Sequence, residues 1–495
     1  MENGIHRQDF FNLLKEAVKD GLIRVEQAIK EKKFIGGHYS FPKIGYFQSG
    51  FPQFSEHDAN KCPLDYSDIF GYSTSSVSRI KKDVEAESIE SWKKFKEFAE
   101  GDSFLKIFYG FGEHYTSRFD DLASKEWHSV YYTYGLIMRL VDRYVHIAGG
   151  TEFDEQKFAG IYSEWETSVF LPKLPLSVYV PIICTHFDFE DGSLDFNAEV
   201  VKMSDGIQLG RNEQHDITNA PHKIVIGAAT HALVLHGWTM PNLTRDKRDE
   251  ILFDFRAFAS VLPQVDNFFA ALRVVTGVET GYSQLVLKPY GWSDRWKAFL
   301  PSVYVVSTRA YPEHFEKFGW LRNPPAINLQ TLADVSKVFK ALKEATNNSL
   351  AIAMRRLNAS FLRKDEEDSI LDVTIALEIL FGDSSPTEMT HKLAMRMAAL
   401  SIIERCSDGE PQQIFDFVKK IYAYRSAIVH GSKKIESKRT IASNDKEDIP
   451  LVALGVRLLR YSIFALTKHP EFLDPKQLDR FLITRQNSFH IPGNA

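Results

Sequence analysis

The sequence predicts a multidomain α+β protein with four parts: a mainly helical N-terminal region (residues 1–165), a mixed β-rich middle region (166–325), an all-α bundle (326–470) and a C-terminal tail (471–495). Three observations lead there. Apolar residues recur at helical spacing over 10–30, 89–100 and 125–147. From about Leu174, short β-branched and aromatic runs take over. After Asn323-Pro-Pro325, where consecutive prolines stop helix and strand alike, helical spacing returns for the rest of the apolar sequence.

In the first region the Gly/Pro/Ser/aromatic stretch 34–76 reads as irregular surface structure between the first two helices. In the middle region 176–184, 193–196 and the run from 223–227 through 231–236 read as strands, with Asp191-Gly192 and Asp205-Gly206 as turns. The acidic stretch 188–195 lacks the ligand ladder of a calcium loop and reads as a hairpin turn. A helix over 249–275 and a strand over 282–288 follow. In the bundle, helices are expected at 332–345, 349–361, 369–381, 387–404, 412–430 and 450–467. Ser385-Pro-Thr-Glu388 has the form of a capping box with Pro386 at the first helical position.

With 44% hydrophobic and 25% charged residues the chain has an ordinary soluble composition. No apolar run approaches the ~18 residues of a membrane span, and the N-terminus lacks the charged-then-apolar order of a secretion signal, so a cytoplasmic location without membrane contact is expected. Cys62, Cys184 and Cys406 are odd in number and far apart, which argues against a disulfide framework. His215, His222, His231 and His236 cluster in the β-rich region, but their irregular spacing speaks against a metal site; neither metal nor cofactor is expected. Phosphate-cradling glycine loops, His-Glu-x-x-His pairs and Gly-x-Ser-x-Gly elbows do not occur.

The formal net charge of -5 excludes a protein that coats nucleic acid over its whole surface. Its distribution is uneven: between His391 and Thr440 ten Lys/Arg face five Asp/Glu. That basic stretch contains Ile421-Tyr-Ala-Tyr-Arg-Ser-Ala-Ile-Val-His-Gly431. Ile414, Val418, Ile421 and Ile428 form an apolar stripe that includes Arg425, and Gly431 supplies a stop. A guanidinium on such a seam is costly unless paired or facing a charged ligand. Spacing alone does not single it out, because arginine followed by histidine after four to six intervening residues recurs at Arg139/His146, Arg309/His314 and Arg485/His490.

Context does. The segment Met354-Arg-Arg-Leu-Asn through Ile375-Ala-Leu-Glu-Ile-Leu-Phe381, then Lys392-Leu-Ala-Met-Arg396, then Tyr424-Arg-Ser-Ala-Ile-Val-His-Gly431 resembles the ApeA-like branch of the HEPN superfamily, over residues 330–468. The resemblance implies a dimerising helical bundle in which Arg425 and His430 form a metal-independent ribonuclease site. It also implies an RNA substrate, tRNA among the candidates, and a role as a restrained toxin in prokaryotic antiphage defence or stress; because such a site needs a brake and two thirds of the chain lies outside the bundle, residues 1–325 are expected to sense and restrain. The alternative it leaves open is a non-catalytic module that dimerises or binds nucleotide.

The chemistry suits those residue types. Metal-free RNA cleavage moves a proton from a 2′-hydroxyl, another to a 5′-oxygen, and stabilises charge on phosphorus; histidine serves either transfer and arginine the third task. Five residues along a helix turn the chain by ~140°, so Arg425 and His430 do not share a face, whereas Ser426 and His430 do. A cleft shared between two protomers would solve this. Arg396, Lys433, Lys434, Lys438 and Arg439 are candidate RNA contacts, Gly431 the structural stop, and Glu378 a partner for a bundle arginine. The plainer alternatives are that His430 caps carbonyls, that Arg425 pairs with Glu378, and that Arg396 is a structural ion pair.

Overall fold

The structure, a computed structural model, describes residues 7–38, 41, 43–55, 62–70, 88–112, 122–213, 222–253, 259–344, 348–383, 388–431, 435–441 and 448–486. Among these it is α+β, with sixteen α-helices and one six-stranded antiparallel sheet. No helix among them is long and apolar enough to cross a membrane.

The N-terminal helices α1 (Gln8–Lys30), α2 (Glu90–Gly101), α3 (Ser103–Tyr109), α4 (Leu122–Ala148) and α5 (Glu155–Phe170) enclose an aromatic core of Phe10, Phe11, Trp92, Tyr144, Tyr162 and Trp165. Asp102 and Asp154 cap α3 and α5 by accepting from the first-turn amides, two short helix starts not anticipated from apolar spacing. The stretch 34–76 is less irregular than expected. It contains a hairpin of β1 (Lys43–Tyr46) and β2 (Pro52–Ser55), turned at Gly50 with φ +86°, and a 3-10 turn at Tyr66–Phe70.

The sheet has the order β4 (Asp191–Asp195), β5 (Ala198–Lys202), β6 (His231–Pro241), β3 (Lys173–Pro181), β7 (Tyr282–Pro289), β8 (Tyr304–Ala310). Both faces are covered. Leu233, Leu235, Leu285, Leu287, Tyr304 and Val306 join one core, while Ala232, Val234, Val286, Val303 and Val305 join another, as the alternation of strand side chains dictates.

Four local expectations are corrected. Asp205-Gly206 opens helix α6 (Asp205–Glu213) instead of making a turn. Residues 223–227 form a single helical turn, α7 (Lys223–Gly227), because the His222 ring accepts the Ile224 amide at 3.3 Å; β6 starts only afterwards. The helix expected over 249–275 is two helices, α8 (Arg245–Phe253) and α9 (Leu262–Thr276), and Pro263 occupies the first turn of the second. Asp191-Gly192 lies inside β4, with Gly192 opposite Val200. A Cβ at Gly192 would sit 2.3 Å from Leu332 Cδ2, so glycine lets the bundle close on this edge.

The bundle comprises α10 (Leu329–Glu344), α11 (Asn348–Leu362), α12 (Glu366–Phe381), α13 (Met389–Ile403), α14 (Pro411–Val429) and α15 (Leu451–Lys468), each within three residues of its expected bounds. The Ser385–Pro386 start lies outside the described residues. The supposed tail contains another helix, α16 (Pro475–Gln486), whose Leu478 is fully buried. Residue 325 marks a change of architecture but not the end of a core. One apolar cluster runs from the sheet through α9 into the bundle, and the link is stitched to the sheet side by Ile327, which donates to His186 O at 2.9 Å and accepts from Asp188 N at 3.2 Å.

Buried charge ties the N-terminal helices to the sheet. Asp294 receives both Arg245 and Arg248, and the Tyr304 hydroxyl at 2.6 Å, while Arg248 also reaches Ser168 O on α5 at 2.7 Å. Burial pushes the Asp294 carboxyl up, but the two guanidinium groups and the tyrosine more than offset this and hold it well below the usual carboxylate range. A carboxyl with a depressed native pKa contributes stability above its unfolded pKa and loses it as pH falls through the native one. Asp294→Asn is therefore expected to cost about 3 kcal/mol at pH 7, as for a broken buried pair. Denaturant melts should show that difference shrinking below pH 4.

Candidate active site

Helix α14 starts at a reciprocal capping box of Glu410 and Gln413, with Pro411 in the first turn. Ile414, Val418, Ile421, Tyr422, Tyr424 and Ala427 are buried, so the expected apolar stripe does face the core. The helix ends at His430, whose amide donates to Ser426 O at 3.1 Å, and Gly431 follows at φ +61°, the left-handed conformation that glycine adopts without strain. Ser426, Val429 and His430 are exposed at this end, with Ala423 one turn earlier.

Arg425 is half-buried, and its Nε is covered without any hydrogen-bond partner. Among the described residues no carboxylate, carbonyl or aromatic ring receives its guanidinium. The pairing with Glu378 that would make it purely structural is not formed. Glu378, on α12, instead accepts the Tyr422 hydroxyl. Burial and the Glu378 carboxylate together raise the Tyr422 phenol well above its ordinary range, and the positive charge of nearby Arg425 works against them. Tyr422 is the neighbour that sequence reasoning overlooked. Its position three residues before Arg425, on the same helix, was the available signal.

The basic candidates separate. Arg396 is 3% exposed and fully engaged: Nε and Nη2 reach Asp479 at 2.9 and 2.7 Å, Nη2 reaches Asp383 at 3.0 Å, and Nη1 donates to Phe381 O at 2.6 Å. It locks α16 and the end of α12 onto α13, which corrects its reading as a phosphate contact. Arg439 is exposed but bound to Glu366 through Nε and Nη2 at 2.9 and 2.7 Å. Lys438 Nζ lies 3.5 Å from Ala423 O on α14. A two-residue pairing of β9 (Thr440–Ile441) with β10 (Ile449–Pro450) folds this segment back beside the helix. Lys433 and Lys434 lie outside the described residues.

The first sequence block is tied together internally and to α9. Asp372 on α12, 3% exposed at its side chain, accepts Arg356 Nη1 and Arg363 Nε at 2.7 and 2.8 Å; Asn358 accepts from Arg273 of α9 at 2.5 Å and donates to Asp266 O at 3.0 Å. Many of the blocks' polar residues are therefore structural; among the described residues, the side chains of Arg425, Ser426 and His430 form no hydrogen bond or ion pair.

The other arginine–histidine pair on a helix behaves differently. Arg139 lies over the Tyr131 ring, 5.5 Å from its centroid, and His146 contacts Asp142 on its own helix. The described histidines of the β-rich region do not converge. His222 caps α7, His231 Nε2 lies 2.6 Å from Phe189 O, and His236 Nε2 lies 2.7 Å from Glu199; His215 is outside the described residues.

No protein-family model, curated protein or solved structure matches the chain.

Arg396→Ala should lower stability by about 3 kcal/mol, because it leaves two carboxylates and a carbonyl without their shared donor. Chemical denaturation measures this. A variant of wild-type stability with weakened RNA binding would restore the phosphate-contact reading.

Proposed function

We propose that the chain is a metal-independent endoribonuclease of the HEPN type, a restrained RNA-cutting effector of prokaryotic defence or stress acting in the cytoplasm, with His430 and Arg425 as its working pair. The observation that carries this is Arg425. A half-buried guanidinium with no hydrogen-bond or ion-pair partner among the described residues costs stability, and that cost is explained if a phosphate completes its coordination when RNA binds. His430 is exposed and stands at a helix C-terminus. It can donate a proton to the leaving 5′-oxygen while Arg425 stabilises the charge on phosphorus. Ser426, one turn before His430, is placed for a hydrogen bond to substrate. Residues 1–325 supply sensing and restraint in this reading, and the core continuous through α9 offers a path by which their packing can bias the bundle.

Full-length protein incubated with total RNA in excess chelator should cut it, leaving 2′,3′-cyclic phosphate and 5′-hydroxyl ends. His430→Ala should reduce the rate by about 100-fold or more, the usual worth of a general acid, with little change in stability at an exposed position. Cleavage unchanged in the folded variant would move the chemistry elsewhere and favour a module that only dimerises or binds nucleotide.

The exposed run Ala423, Ser426, Val429 and His430 along one side of α14 also favours pairing of two chains there, each cleft drawing on both. Mixing inactive Arg425→Ala with inactive His430→Ala protein should then restore roughly a quarter of the wild-type rate, since heterodimers hold one complete set of groups. Absence of rescue in a mixture shown to exchange subunits would mean that each chain uses its own pair.

A further inference from the structure

A second cluster of reactive side chains lies far along the chain from α14, in the N-terminal region. Asp142 and His146 are one helical turn apart on α4 and so project on the same side. His38 approaches from the segment beside the 3-10 turn Tyr66–Phe70. His38 Nε2 is 3.2 Å from one oxygen of Asp142, and His146 Nε2 is 3.5 Å from the other. The side chains of His38, Asp142 and His146 are 10%, 7% and 13% exposed, and their three donor atoms lie within 4.8 Å of one another.

We propose that His38, Asp142 and His146 form a binding site for a divalent transition-metal ion of the zinc class, which staples the 36–70 segment to helix α4. Two imidazole nitrogens and a carboxylate oxygen suit zinc-class ions, whereas calcium and magnesium prefer oxygen alone. Ligand atoms about 2.0–2.2 Å from a tetrahedral ion stand roughly 3.4 Å apart, so the set needs to tighten only modestly. The Leu64 carbonyl oxygen, hydrogen-bonded to His146 Nε2 at 2.9 Å, would be freed as that nitrogen turns to the ion and could serve as a fourth oxygen donor.

The surroundings fit the charge and the orientation that a metal requires. Asp65 is 13% exposed at its side chain and faces the other ring nitrogen of His38, its Oδ2 3.8 Å from Nδ1. On ion binding this carboxylate would have to close to hydrogen-bond distance to fix the tautomer that leaves Nε2 free for the ion. The carboxyl groups of Asp142 and Asp65 both lie beside the imidazoles, so the pocket offers oxygen donors that suit a dication. The nearest arginine along α4, Arg143, is committed elsewhere, donating to Ala298 O and Leu300 O at 3.0 and 2.9 Å. The competing explanation is a metal-free hydrogen-bonded network, in which Asp142 also accepts the Tyr66 amide at 2.9 Å. The site is independent of the ribonuclease reading, and its ion takes no part in RNA cleavage.

The test uses tag-free full-length protein stripped with chelator, desalted and titrated with Zn2+ and Co2+. Bound metal is measured by elemental analysis, Co2+ by its visible absorption, and stability by thermal melting. About one equivalent of Zn2+ is expected per chain, with a raised Tm and an intense four-coordinate Co2+ spectrum. His38→Gln and His146→Gln should abolish all three, and Asp65→Asn should weaken binding about 10- to 100-fold. His236→Gln, outside the cluster, should bind as wild type. Failure of the wild-type protein to take up metal overturns the proposal in favour of the hydrogen-bonded network only. Equal uptake by the cluster variants overturns it as well. If the two histidine variants do not fold, Asp65→Asn decides: affinity equal to wild type rejects the site, and the stated loss supports it.

Discussion

Helix α9, Leu262–Thr276, has almost no side that faces water, and the arrangement of the rest depends on that. Val265, Phe268, Phe269, Ala270, Ala271, Leu272, Arg273 and Val274 are all buried, because one side of the helix covers the sheet and the other packs against α10, α11 and α15. Even its polar ends are used. Arg273 donates to Thr280 O at 2.6 Å and to Asn358 on α11, and Arg460 on α15 donates to Val274 O at 3.1 Å. A helix buried all round cannot be satisfied by either neighbour alone, so sheet and bundle form a common core.

The same logic isolates Arg425. Arg248, Arg273, Arg396 and Arg460 are buried or largely buried, and each is anchored by carbonyls or carboxylates. Burial lowers the Arg273 pKa to about 10, since the interior disfavours the charged guanidinium even where it is hydrogen-bonded. Arg425 lies at the margin of that interior and has none of these anchors among the described residues, while Glu378 is held by Tyr422. The arrangement leaves a positive group uncompensated beside an exposed helix end. That is the physical content of the proposed site, and it differs in kind from the surface charge of Arg439, already neutralised by Glu366.

Much of this was legible in the sequence and some was not. The bundle helices were readable because their apolar stripes are long and one-sided, and α14 carried its own start and stop in Pro411 and Gly431. The β-rich region was harder. With both sheet faces covered, its strands are nearly continuous apolar runs, and a short run such as Lys223–Gly227 reads equally as strand or helix. Helix α5 and strand β8 were not foreseen for the same reason of short or all-round burial. In the site, Arg425, Ser426 and His430 were named from sequence, and Glu378 was expected to serve an arginine. Its choice of Tyr422 depends on how α12 and α14 are rotated against each other.

The sequence by itself determined where the helices of the bundle begin and end, which face of α14 is apolar, and that a histidine and a left-handed glycine stand at its terminus. Those properties follow from local spacing and backbone preference. Tertiary structure decided which charges are spent and which are left: it buried Arg396 between Asp383 and Asp479, gave Arg439 to Glu366, left Arg425 without an anchor among the described residues, and brought His38 to Asp142 and His146 across about a hundred residues of chain. Partner choice between distant residues is set by packing geometry and by the cost of burying an uncompensated charge, and neither is written in local sequence.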